Sequence, residues 1–263
     1  MRRHILKILL TGHKGFIGSH MLTALEKANH DVTTYEWEDG PRPGVMDLDW
    51  VVHIGAISST TERDVDKVLR QNYEFSAALF DECKTFGVNL QYSSSASVYG
   101  LVSNFSETSP VDPRNPYAWS KYLFERHHAR CQGGNVTQGF RYFNVYGPDG
   151  EDHKGNQASP HNQFKKQAEA NNEIKVFENS ERYQRDFVHV SKIVDSHLKF
   201  MTIPESGVWN VGTGTPTSFM DVARQFNVPI KTIPMPTVLK DSYQMYTCAD
   251  MTKYNNTLKK YAN

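Results

Sequence analysis

T-G-H-K-G-F-I-G, running from Thr11 to Gly18, follows directly on the apolar run Ile5–Leu10 and opens an amphipathic stretch. Glycines at Gly12, Gly15 and Gly18 allow a tight turn and let backbone N–H groups approach a pyrophosphate, with the positive end of a helix behind them. The same glycine spacing also occurs in plain turns. Its position between a strand and a helix is what points to a dinucleotide. Outward from this stretch, apolar runs alternate with amphipathic ones. The pattern predicts strands at Ile5–Thr11, Asp31–Glu36, Trp50–Gly55, Asn89–Ser94 and Val136–Phe143, with helices at Gly15–Ala28, Val65–Phe86 and Tyr117–Cys131. Such alternation is that of βαβ units, so the expected fold class is α/β, a doubly wound parallel sheet. In such sheets ligands sit at the C-terminal ends of strands, which would bring Gly12–Gly18, Gly55–Thr61 and Ser93–Gly100 to one crevice.

From about Tyr146 the sequence turns polar and rich in His and Asn, and 147–163 reads as a loop lining a site. Strands at Ile174–Glu178 and Arg185–Val190, a helix at Ser191–Met201 and a strand at Val208–Gly212 follow. The expected organisation is a dinucleotide-binding domain of residues 1–146 plus 186–213, interleaved with a small substrate-binding cap of 147–185 plus 214–263.

The 263 residues suffice for that plan. Lys+Arg and Asp+Glu are both 29, so the net charge is zero and neither a nucleic acid nor a membrane is an expected partner. No apolar run approaches the roughly 20 residues of a membrane helix. Cys83, Cys131 and Cys248 form no C-x-x-C pair and are odd in number, which predicts no disulfide framework, no metal site and a reducing, cytoplasmic setting.

Glu36, at the end of the second predicted strand, is placed to accept hydrogen bonds from an adenosine ribose, although a surface carboxylate would look the same. His13 and Lys14 are placed to meet a 2′-phosphate, which leaves NAD and NADP both open, with a slight lean to NAD. Tyr117 and Lys121 lie four apart after Pro116, on one face of a predicted helix start. An ammonium beside the phenol is expected to lower its pKa toward a range where it takes a proton from a carbinol. A solvated helix face carries the same spacing. Ser95, at the end of a predicted strand, offers a hydroxyl to the same reacting oxygen.

The ordered set T-G-x-x-G-F-I-G, S-S-S-A-S-V-Y-G, Y-A-W-S-K, F-R-Y-F-N-V-Y-G-P and R-D-F-V-H-V resembles the extended short-chain dehydrogenase/reductase family of nucleotide-sugar enzymes, the NAD-dependent epimerases and dehydratases. Within it the sequence is most similar to the ADP-glyceromanno-heptose 6-epimerases, through Ile57–Glu62, Gly147–Ser159 and Tyr243–Asp250. The resemblance implies a Rossmann-type sheet, a nucleotide-diphospho-sugar substrate and a homodimer built on the helices at Val65–Phe86 and Tyr117–Cys131. It implies Ser95, Tyr117 and Lys121 as the catalytic set, with Tyr117 the acid/base and Lys121 also on the nicotinamide ribose. Lys154, in H-K-G, falls where the heptose epimerases carry a second acid/base; a solvated loop lysine is the equal alternative. The cofactor residues implied are Gly12, Gly15, Phe16, Ile17, Gly18, Glu36, Asp47, Leu48, Ala56 and Asn72, beside Tyr117 and Lys121. For the substrate they are Ser58, Thr60, Ser95, Asn144, Lys154, Arg185 and Tyr243. Arg suits phosphate because its planar fork binds two oxygens at once, whereas Ser58 and Thr60 belong to a residue class that often only caps turns.

A sugar dehydratase needs an added acid and base, usually an acidic pair after the catalytic hydroxyl residue. Ala96 and Ser97 stand there, so epimerisation through a transient keto sugar is the expected reaction. A net reductase or dehydrogenase of the same fold, or a non-catalytic NAD(P)-binding protein, are the alternatives. Between Glu36 and Trp50 too little chain remains for the third strand and crossover helix of this family, since a helical crossover takes about 10–12 residues or more. The helix is therefore expected to be missing, and Gly44–Leu48 to be at most a vestigial strand, with Asp47 and Leu48 flanking the adenine.

Overall fold

The protein is described from a computed structural model covering residues 4–131, 133–148, 150–237 and 244–262. The first five strands are β1 (Lys7–Thr11), β2 (Asp31–Tyr35), β3 (Trp50–His53), β4 (Asn89–Ser95) and β5 (Thr137–Tyr142). Outside the main sheet follow β6 (Asn144–Tyr146), β7 (Ile174–Phe177), β8 (Gln184–Arg185) and β9 (Phe187–His189), before β10 (Gly207–Val211) returns to it. The sheet is parallel throughout and ordered β10-β5-β4-β3-β1-β2. The strands are apolar on both faces because both faces are covered. On one side, Leu9, Val51 and Leu90 pack against Leu79, Phe80 and Phe124 from the helices at Phe75–Phe86 and Pro116–Arg130. On the other, Ile8, Leu10 and Val52 meet Met21, Leu25 and Val194.

The helices are α1 (Phe16–Lys27), α2 (Val65–Val68), α3 (Phe75–Phe86), α4 (Pro116–Arg130), α5 (Pro160–Asn171), α6 (Val190–Phe200) and α7 (Phe219–Arg224), with a C-terminal helix at Thr252–Lys260. The single helix expected over Val65–Phe86 is α2 and α3 joined by a π-helical turn at Leu69–Glu74. Helix α4 starts where the sequence says it must: Asn115 accepts the Ala118 N–H at 2.8 Å, and Pro116 takes the first helical position, where no N–H is needed. The strand expected at Arg185–Val190 is broken at Asp186. This buried carboxylate leaves the strand pattern to accept the N–H groups of Thr213, Gly214 and Ala249 and the Thr213 hydroxyl, at 2.6–3.0 Å, tying three distant segments together.

Between Tyr35 and Trp50 the described chain holds only a 3-10 turn, Trp37–Asp39; Gly44–Leu48 forms no strand, and β2 is the outer strand of the sheet. Val45 is fully buried against Leu79 and Phe80, where a crossover helix would otherwise pack. Glu82 of α3 pins the segment through an ion pair with Arg42 and by accepting the Val45 N–H at 3.1 Å. A separate hydrophobic cluster of Phe164, Ile174, Val176, Phe187, Met220 and Val222 joins α5, β7, β9 and α7, and β12 (Ile230–Ile233) pairs with β7 after the short β11 (Thr217–Ser218). Among the described residues, no helix is long and apolar enough to cross a membrane.

Candidate active site

The turn after β1 is compact for a reason visible atom by atom. Gly12 has φ +79, and a Cβ there would lie 2.4 Å from Gly55 Cα; at Gly18 a Cβ would lie 1.8 Å from the Gly12 carbonyl oxygen. Neither position tolerates a side chain. Gly15 caps α1 without a side chain to satisfy the first-turn N–H groups, which stay available to an anion. This cradle fits a dinucleotide. Beside it a cleft of about 180 Å³ is lined by Gly12, Tyr35, Glu36, Trp37, His53, Gly55, Ala56, Gln71 and Phe75, among others. Glu36 accepts the backbone N–H of Lys14 at 2.5 Å and has His13 Nδ1 at 3.3 Å. The carboxylate thus fixes the glycine turn as well as lining the cleft. Beneath it, His53 bonds Thr11 Oγ1 at 2.6 Å and Ser76 Oγ at 2.7 Å, and burial pushes its pKa down to about 3, so the imidazole is neutral.

Ser95 ends β4, Tyr117 lies in the first turn of α4 and Lys121 one turn later. The Lys121 ammonium is 5.8 Å from the Tyr117 ring centre and donates to the Ser93 carbonyl at 2.9 Å and the Ser93 hydroxyl at 3.2 Å. Burial brings the Lys121 pKa down to about 7, against the opposing pull of Glu125. Burial also raises the Tyr117 pKa, and a hydrogen bond with Ser95 draws it part of the way back. The expectation that Lys121 lowers the phenol's pKa is therefore corrected. Desolvation sets the direction, and the Lys121 ammonium is turned to Ser93.

A second cavity, of about 400 Å³, opens at this triad. Its lining holds Ser95 and Tyr117 together with Ile17, Ser58, Thr60, Asn144, Lys154 and Arg185. Lys154 and Gln157 of this lining belong to a 3-10 segment, Asp152–Gln157, bent at Gly155, which has φ +52. Several contacts position this segment, among them an ion pair of Asp152 with Lys166 of α5 at 2.7 Å. Lys154 Nζ stands 4.6 Å from the centre of the Phe16 ring, and desolvation lowers its pKa. Glu151 accepts both the N–H and the hydroxyl of Ser159 at 2.7 Å. Gln157 donates to Ser59 Oγ at 3.0 Å and to Thr61 Oγ1, and accepts the Thr60 N–H at 3.3 Å. Arg185 is buried, with its guanidinium 5.5 Å from the Phe219 ring centre.

Other candidates sit outside these linings. Asn72 is buried and clasps the loop after β3, accepting from Ile57 N–H at 2.8 Å and donating to Ile57 O at 2.9 Å and Ser120 Oγ at 3.1 Å. Phe16 packs inside α1's first turn. Asp47 is exposed, at φ +69, and Leu48 is partly buried against the core cluster that holds Tyr35 and Val45; neither is among the residues lining the cleft beside Glu36. The Leu48 N–H donates to the Val45 carbonyl at 3.1 Å, so the chain turns here in place of a third strand. Tyr243 lies outside the described residues. Residues not singled out from sequence are Trp37, Gln71 and Phe75 in the cleft and Tyr142, Gln157 and Gln244 in the cavity. Of these, Gln157, Tyr142 and Gln244 lie in stretches that the sequence already marked, Gly147–Ser159, F-R-Y-F-N-V-Y-G-P and Tyr243–Asp250.

Comparison with known proteins agrees with this geometry. The chain belongs to the NAD dependent epimerase/dehydratase family, whose profile matches residues 8–39 and 44–212. The break in the match falls within the segment that lacks a crossover helix. Among solved structures, ADP-L-glycero-D-manno-heptose-6-epimerase from Helicobacter pylori superposes with a TM-score of 0.85 at 25% identity, over 97% of this chain and 90% of that one. UDP-glucose 4-epimerase from Thermotoga maritima, solved with UDP-glucose, gives 0.80 at 25% identity, over 95% and 92%. An NAD-dependent NDP-hexosamine 5,6-dehydratase of tunicamycin biosynthesis gives 0.80 at 24% identity, over 98% and 92%, a likeness of fold. The Rossmann-type sheet and the family expected from the sequence are thus those found.

Proposed function

We propose that the chain is an NAD-dependent nucleotide-sugar epimerase that inverts a carbinol centre through a transient keto sugar, on a substrate resembling an ADP-heptose. The observation that carries this reading is that two proton-handling groups on separate elements, Tyr117 of α4 and Lys154 of the 3-10 segment, line one cavity. Reduction from one face needs one such group; return from the opposite face is served by a second. Gly12, Gly15, Gly18 and Glu36 would hold the dinucleotide, which when bound supplies the chemistry of taking a hydride from the carbinol carbon and giving it back. Tyr117 would take the hydroxyl proton of the substrate as a phenolate, the form that the positive charge of an oxidised nicotinamide would favour against the effect of burial, with Ser95 bonded to the same oxygen. Lys121 keeps the phenol in place from the buried side and lies toward the ribose. Lys154 delivers a proton when the alcohol re-forms on the other face, and Arg185 with Asn144 meets the diphosphate.

The lining supports epimerisation over elimination. Ala96 and Ser97 carry no acid, and Glu151, the one carboxylate among the described lining residues, accepts from Ser159 on each oxygen. NAD is favoured over NADP because Glu36 and Glu38 line the cleft and Glu36 holds His13, so a 2′-phosphate would meet carboxylate. The segments 147–185 and 214–263 act as the substrate cap, and exposed Val65 and Trp119 on α2 and α4 support a homodimer through those helices. The test is to incubate the protein and NAD with both epimers of an ADP-heptose and follow the products by NMR. Tyr117→Phe is expected to lower turnover by about 10²–10⁴-fold from either side. Lys154→Ala is expected to lower epimerisation while leaving the first oxidation measurable; no interconversion of any nucleotide sugar by the wild type would overturn the reading.

A further inference from the structure

Asp47 and Leu48, which the resemblance implies beside the adenine, are not in the lining of the cleft beside Glu36, and that cleft is lined instead by the rings of Tyr35, Trp37, His53 and Phe75. Trp37 follows Glu36 directly and is 39% exposed. Its ring lies 5.6 Å from that of Phe75 at 69°, an edge contact. Phe75 is in turn stacked on Tyr35 at 5.9 Å, and Arg42 of the shortened segment lies 6.0 Å from its ring centre. Two nearly perpendicular rings make a corner: a flat heterocycle entering it lies against one face and meets the other edge-on, both favoured arrangements of π systems.

The third side of the corner comes from the π-helical turn Leu69–Glu74. An extra residue in a helical turn shifts the faces of the residues around it, and such turns recur at functional sites. Here consecutive residues serve two jobs: Asn72 points into the core to clasp Ile57 and Ser120, while Gln71 lines the cleft. A glutamine amide offers a donor and an acceptor side by side, the complement of the adenine edge.

We propose that Trp37 and Phe75 form the stacking wall for the adenine ring and that Gln71 reads its polar edge, so that this aromatic corner takes the place of Asp47 and Leu48. The inference rests on the reading of the glycine turn as a dinucleotide site. It concerns the adenine end alone, and can fail while that reading stands.

Titration of the full chain with NAD, AMP and nicotinamide mononucleotide, read by intrinsic fluorescence and by calorimetry, tests it. Trp50 and Trp209 are buried and Trp119 lies on α4, so quenching by AMP that vanishes in Trp37→Phe reports on Trp37. Trp37→Ala is expected to weaken AMP and NAD on the order of ten-fold, within the range for base stacking on an aromatic side chain. Trp37→Phe should recover most of that loss, and nicotinamide mononucleotide should be unaffected. Gln71→Leu should weaken AMP by about three- to ten-fold with the quenching retained. Wild-type binding of NAD with AMP affinity and fluorescence unmoved by Trp37→Ala would overturn the inference alone. Binding of neither NAD nor AMP by the wild type would overturn it together with the dinucleotide reading.

Discussion

Removing the Gln157 side chain should open the substrate cavity without touching the chemistry. The amide spans from the 3-10 segment carrying Lys154 to the loop after β3, bonding Ser59, Thr61 and the Thr60 N–H. Because the residue is exposed, each bond competes with water and contributes at the low end of the usual range, roughly 0.5 kcal/mol. Three bonds give about 1.5 kcal/mol, or about ten-fold in the equilibrium between a closed and an open segment. Substrate affinity falls in proportion to the closed fraction. Gln157→Ala is therefore expected to raise KM for the sugar nucleotide by up to about ten-fold. It should leave kcat, the thermal midpoint and the affinity for NAD close to wild type, since Gln157 contacts neither Tyr117 nor the glycine turn. Gln157→Glu, which keeps an acceptor for Thr60 N–H, should fall between the two. Steady-state kinetics over a range of sugar-nucleotide concentrations reads this directly. An unchanged KM in Gln157→Ala would show that the segment is held without Gln157, by Glu151, Lys154 and the Asp152–Lys166 ion pair, and would refute its role in closing the cavity.

The other expectations concern the cofactor cradle and the core. Gly18→Ala places a methyl group 1.8 Å from the Gly12 carbonyl oxygen, so the turn must move; dinucleotide binding by calorimetry should fall at least 100-fold on the order expected for a lost backbone cradle, with the circular dichroism of the sheet retained. Stability should decline as pH falls below about 6.5. Four imidazoles, those of His53, His128, His161 and His197, are held neutral by burial with pKa values of about 3 to 4. Over the window from about 6.5 down to those values the unfolded chain binds protons that the folded chain does not, so unfolding free energy rises with pH and is lost on acidification. Urea midpoints measured from pH 7 to 4 should show this, and His197→Gln should flatten the slope by close to one proton.

How much of this was legible beforehand follows from how far apart the partners lie in the chain. The glycine turn and the Tyr117–Lys121 pair are local patterns, fixed by a strand–turn–helix sequence and by one helical turn, and both are found in the expected elements. The missing crossover was equally plain, since chain length alone forbids it. Helix α5 was not legible: its composition is polar, only Phe164 is buried, and its start is signalled solely by Ser159 and Pro160. The break at Asp186 depends on donors from Thr213, Gly214 and Ala249, and the aromatic corner on Trp37 meeting Phe75; neither pairing has a local signal. The pKa of Tyr117 depends on burial, which spacing does not reveal.

The central claim, oxidation and return within one site, is tested most directly by a nucleotide-diphospho-heptose carrying deuterium on the carbon that inverts. If the label leaves as hydride and comes back, the epimer formed with NAD in ordinary water keeps its deuterium, with no net accumulation of reduced nicotinamide. Replacement of the label by solvent hydrogen at that carbon, or stoichiometric reduction of NAD, would contradict the account.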